Sequence, residues 1–175
     1  MIRIFLGLTA ANLLLMATVF CLGLGAVDAH DAPTELYMLH LTLGICGALV
    51  CALAHVAVYT YFMATCKWLA EATAKAALEP GGYVGPALRR KNKALACVMT
   101  AVACTLAALI SGAGTDPTVG RLWPGHVHLV LAMIAMAANL VAAVVEYGLI
   151  ADQGKLMGNV LAILNHAPGV VVKNA

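Results

Sequence analysis

The chain has 175 residues, of which 63% are hydrophobic and 10% charged, against about 45–50% and about 25% in soluble domains. That composition excludes an ordinary soluble fold and places the chain in the membrane class, with the lipid bilayer as its first partner. A net charge of +2 is too small to support a nucleic-acid surface.

A helix that crosses a bilayer needs roughly 20 mostly apolar residues, and four segments qualify. The expected fold is therefore all-α: a polytopic integral membrane protein built as a four-helix up-down bundle in a single domain. The first predicted helix covers residues 4–27. Arg3, this apolar run and Val27-Asp28-Ala29 before His30 also fit a cleavable signal peptide. The run exceeds the 7–15 residues of a signal core, however, and Asn12 interrupts it as a bundle-facing residue would, so a retained helix is expected. Residues 28–35 form a short acidic connection containing Pro33.

The second predicted helix covers residues 36–66. At 100° per residue, His40, Gly44, Ala48, Cys51 and His55 fall on one face, flanked by Gly47, and Tyr59 continues it. Helices associate in membranes through such small residues, with polar side chains bonding across the contact. Residues 67–93 read as a cytoplasmic loop. They carry Lys67, Lys75, Arg89, Arg90, Lys91 and Lys93, and breakers cluster between Glu79 and Pro86. Within the loop, Trp68–Ala77 has good helix formers and a Glu71–Lys75 pair, so it either extends the second helix or lies along the surface.

The third predicted helix, residues 94–112, has a weaker stripe of Cys97, Ala101, Cys104, Ala108 and Ser111. A connection with Pro117 and Pro124 follows. The fourth helix, residues 127–150, places His128, Ala132, Ala135, Asn139, Ala142 and Glu146 along one side in steps of four and three. The segment 151–175 reads as a cytoplasmic tail, with Leu156–Leu164 as a short interfacial helix. Lysine and arginine gather in the loop after the second helix and near both termini, while the other face has only Arg121. This asymmetry predicts a cytoplasmic (inner) membrane protein with both termini in the cytoplasm.

Two interior sites follow. Near the outer face, His40 and His128, with His126 as a further candidate, are potential ligands for one haem b or one transition-metal ion, because neutral imidazole binds both. Gly44 and Gly47 would leave a slot for a flat ring, and His30 and Glu35 would be additional ligands for a bare ion. His126 and His128 diverge by about 160° on a regular helix and cannot chelate one ion together there. Deeper in the bundle, His55, Asn139, Glu146 and Tyr59 form a candidate polar cluster of the kind that marks proton relays, or that bonds a quinone. Its bland counterpart is a structural hydrogen bond from His55.

The six cysteines lack any zinc or redox spacing and read as reduced apolar fillers. No nucleotide loop, nucleophile elbow or zinc-protease motif occurs, so an enzyme acting on its own has no residue support. The functional expectation is a small redox-associated subunit of a respiratory complex, serving electron transport. The alternative is a cofactor-free accessory or assembly subunit packed against other membrane proteins. In helix count and interior histidines the layout loosely resembles four-helix membrane cytochrome b anchors, a similarity of architecture without residue correspondence.

Overall fold

The computed structural model describes residues 2–26, 34–116 and 120–166. They form four helices: α1 (Ile2–Gly25), α2 (Glu35–Lys75), α3 (Pro80–Thr115) and α4 (Gly125–His166). All four are long and apolar enough to cross a membrane, which makes this a multi-pass membrane protein. The connections are short, so the helices alternate in direction. α1 and α3 each pack against α2 and α4, and α2 and α4 face each other across the bundle diagonal.

The packing seam is written in a repeat of seven. On α2 the buried residues Cys51, His55, Val58, Phe62, Thr65, Leu69 and Ala72 advance by alternating fours and threes. On α4, Asn139, Glu146, Gln153 and Val160 recur every seventh position, all buried. A seam with a period near 3.5 keeps facing its neighbours only in a left-handed bundle. The outer surface is the reverse: Leu49, Leu53, Val141 and Val144 are each more than 60% exposed. Apolar side chains on that face require lipid, because water there would forfeit their transfer free energy.

The helices run well past the bilayer at one end. α2 has 41 residues and α4 has 42. At 1.5 Å per residue each is about 60 Å long, twice the roughly 30 Å hydrocarbon core. The segment expected as a loop, residues 67–93, is therefore mostly helix. α2 continues to Lys75, and α3 begins at Pro80, with proline in its first turn where no amide donor is needed. The breakers Gly81, Gly82 and Pro86 are overridden by packing. Tyr83 and Ala87 are held in a cluster with Cys66, Leu69, Ala72, Val160 and Leu164, and tertiary burial outweighs weak propensity. The expected tail is corrected in the same way: α4 continues without a break to His166. Three helices thus form a stalk on the end that carries the lysines and arginines, called the basic end below.

The α2–α3 turn is a Schellman closure: Leu78 N–H bonds to Thr73 O at 3.0 Å and Ala77 N–H to Ala74 O at 3.3 Å. Ala77 sits there at φ 51°, a position that glycine usually fills. At the start of α2, Thr34 Oγ1 accepts from Tyr37 N–H at 3.2 Å, an N-terminal cap. At the end of α3, Trp123 lies across Gly114, where any side chain would collide with the indole, and Trp123 Nε1–H donates to Ser111 O at 2.9 Å. All six cysteines are free.

Candidate functional site

Two histidine sites lie at different depths in the bundle. The deeper one joins all four helices. His55 Nδ1 is 2.9 Å from Glu146 Oε1, and His55 Nε2 is 3.2 Å from Asn139 Oδ1. Counting along the chain could not say whether His55 meets Asn139 or Glu146; the structure has it between both. Asn139 Nδ2 donates to Ala135 O at 2.9 Å and to Thr105 Oγ1 at 3.0 Å. Cys51 Sγ–H donates to Asn139 Oδ1 at 3.3 Å, and Asn12 Nδ2 donates to the same oxygen at 3.1 Å. His55, Glu146, Asn139 and Asn12 are all at least 95% buried. Polar groups so far from water persist only when they bond to one another.

Tyr59 does not join them. It is half-buried, and no hydrogen bond links its phenol to the cluster among the described residues. Thr105 does join, and the sequence reading missed it. On α3 the expected stripe holds at Ala101 and Ser111, both buried, while beside Asn139 the seam runs through Ala94, Val98, Ala101 and Thr105 in steps of four, three and four, with Cys104 half-buried next to it. Cys51 stood on the α2 stripe, but its role as a donor depends on Asn139 across the diagonal.

At the end opposite the stalk, the distal end, His40 and His128 meet. Their ring centres are 6.0 Å apart, with the planes at 72°. Each is seated in the same manner by the helix before it in the chain. His40 Nδ1–H donates to Val19 O on α1 at 2.9 Å, and the ring lies on Gly23, whose Cβ, if present, would stand 2.8 Å from His40 Cε1. His128 Nδ1–H donates to Ala108 O on α3 at 3.0 Å, and its ring lies on Gly112, whose Cβ would stand 3.0 Å from His128 Cε1. Carbonyl and glycine are four residues apart in both cases, Val19–Gly23 and Ala108–Gly112. The two hairpins thus repeat one device and present one imidazole each. Ser111 Oγ is also 3.1 Å from His128 Nδ1.

A carbonyl can only accept, so both Nδ1 atoms carry hydrogen. In the neutral ring the lone pair is then on Nε2. Fixing the tautomer through a hydrogen bond at the other nitrogen is how metal-ligating histidines are prepared. Gly44 and Gly47 do not form the expected slot: they face Val19 and Leu15 of α1, which fill the space. His126 is exposed and is not part of the pair. Glu35 is exposed in the first turn of α2, and His30 lies outside the described residues. No group of three or more potential metal ligands occurs among the described residues.

No family model matches the chain, and neither does any curated protein or solved structure.

Proposed function

We propose that the protein is a small redox-associated membrane subunit that holds one metal centre between His40 and His128. The observation that carries this reading is the pair itself: two imidazoles from diagonal helices, each held at Nδ1 by a backbone carbonyl, with ring centres 6.0 Å apart. Two imidazoles on opposite sides of one ion, each bonded at about 2.0–2.1 Å, have ring centres about 6 Å apart. Two protein ligands suit an ion that needs few. Haem b iron takes four nitrogens from its porphyrin and two axial ligands from the protein, and a bare ion of the copper–zinc group accepts imidazole readily. Either would supply one centre of the kind used in electron transfer. A bare ion asks for no more separation between the rings than the 6.0 Å between their centres. A haem requires the two hairpins to part by the thickness of its ring, since the glycine space on α2 is taken by α1.

Orientation follows from charge. Arg3, Lys67, Lys75, Arg89, Arg90, Lys91, Lys93 and Lys155 lie toward the basic end, and Arg121 lies at the other. By the positive-inside rule the basic end is cytoplasmic, so the protein sits in the cytoplasmic membrane with the His40–His128 pair near its outer face.

The test is an absorption spectrum of purified protein, oxidised and then dithionite-reduced, together with elemental analysis. A Soret band with a sharp alpha band identifies haem; a colourless protein with one bound ion identifies the bare metal. Either signal disappears in His40→Ala and His128→Ala and persists in His126→Ala. A wild-type protein that stays colourless and metal-free after supply of haemin, copper and zinc overturns the proposal and favours the cofactor-free accessory subunit.

A further inference from the structure

The deeper cluster has a use that the metal centre does not require. Asn139 cannot be turned round: its Nδ2 faces the Ala135 carbonyl, which only accepts, so its Oδ1 must face His55. Glu146 Oε1 faces the other ring nitrogen. One arrangement of heavy atoms then accommodates one proton in two ways. In the first, His55 is an imidazolium that donates to both oxygens and Glu146 is a carboxylate. In the second, Glu146 is protonated and donates to Nδ1, while His55 donates from Nε2 to Asn139. The difference is a proton moved across 2.9 Å, with the net charge of the pair unchanged. Removing that proton leaves a lone pair against an oxygen on one side of the ring, inside a membrane where water cannot repair it.

The surroundings are lopsided. Toward the basic end the pair is sealed by a layer of Phe5, Val58, Phe62, Ala94 and Ile150, all at least 97% buried. The next polar contact, Gln153 Nε2–H to Thr65 Oγ1 at 3.1 Å, lies beyond that layer. Toward the distal end the buried residues at the next level are small, namely Gly47, Cys51, Ala101 and Ala135, with half-buried Thr105, and half-buried Leu15 and Val19 of α1 pack on Gly47. Asn12 Oδ1 is on this side. It is a buried acceptor with no partner, the kind of atom that an internal water satisfies; Gln153 Oε1 is another, but the Phe62–Ile150 layer stands between it and the pair. Among the described residues the titratable groups nearest the pair are Cys51 on α2, which bonds to Asn139, and half-buried Cys97 on α3; α1 contributes neutral Asn12.

We propose that His55 and Glu146 form an intramembrane proton-binding site that exchanges with the distal end through Asn139 and Asn12 and is closed toward the basic end by the Phe62–Ile150 layer. The reading is independent of the metal centre, and its tests need no metal.

Proteoliposomes with an internal pH dye test the closure. The wild-type protein conducts protons no faster than empty vesicles. The Phe62→Ala, Ile150→Ala double variant conducts them at least several-fold faster, and adding Glu146→Gln returns the flux to the baseline. A double variant that folds and conducts nothing, or one whose flux survives Glu146→Gln, overturns the proposal. Should the double variant fail to fold, the nitrogen spectrum of the wild type and of Glu146→Gln decides. In lipid nanodiscs with 15N-labelled histidine, the His55 Nδ1 resonance shows a proton bound or shared, and Glu146→Gln shifts it. A bare Nδ1 in the wild type, unaltered by Glu146→Gln, removes the site.

Discussion

The bundle treats its two interior histidine sites in opposite ways. At mid-depth both nitrogens of His55 are engaged by side chains of α4, and the cluster draws in all four helices. At the distal end His40 and His128 are each held at one nitrogen, by a backbone carbonyl of the preceding helix. The first arrangement is closed, and its partners depend on one another. The second is open, and its seats survive loss of either ring because each belongs to its own hairpin. The same side chain thus stands in two kinds of contact: one ring ties α2 to α4 through both nitrogens, and two are held at Nδ1 alone.

This contrast can be broken most sharply at Glu146. Replacing it with alanine leaves His55 buried without its counterpart, at a cost of about 3–5 kcal/mol, read as a large drop in thermal stability in detergent. His40→Ala should cost far less, about 1 kcal/mol, because an interhelical hydrogen bond in membranes averages about 0.6 kcal/mol. It should nevertheless abolish the metal or haem signal. Equal destabilisation by the two changes would end the distinction between a lock and a seat.

Gly23→Ala and Gly112→Ala come next. Each adds a methyl group about 3 Å from an imidazole carbon, an overpacking expected to cost about 1–3 kcal/mol and to turn the ring away from its partner. Metal analysis of the two variants should show the same loss, since the seats are equivalent; loss in one alone would mean that the hairpins do not share the device. Asn12→Ala should change stability by about 1 kcal/mol or less, because one hydrogen bond disappears together with one unsatisfied acceptor. The smallest effect belongs outside the bilayer. Ala77→Gly relieves the positive φ at the end of α2 and should stabilise the protein by about 1 kcal/mol, leaving both sites unchanged in spectrum and in proton flux.

Much of the membrane architecture was legible in the sequence, because a helix interior is written in steps of three and four. His40 with His55, and His128 with Asn139 and Glu146, stood on their faces before any coordinates. That His40 meets His128 follows the shared depth expected of them, whereas the contact of His55 with Asn139 and Glu146 together depends on the register of α2 against α4, which only the packing supplies. The seats Val19–Gly23 and Ala108–Gly112 were invisible for a related reason: a carbonyl accepts wherever a neighbour's register delivers a donor, and nothing in Val19 or Ala108 announces it. Thr105 escaped because Cys104 offered a plausible neighbouring stripe. The helix extension through Trp68 was among the expectations and is found, whereas residues 80–93 read as a loop because proline, glycine and charge outweigh local helix preference, although Leu69, Tyr83, Ala87 and Val160 bury one another in space.

That last feature alters what a neighbouring molecule would encounter. α4 carries 16 residues past Ile150, a rigid column about 24 Å tall at 1.5 Å per residue. Among the described residues, that side thus offers a neighbour three packed rods standing out of the membrane rather than a flat face.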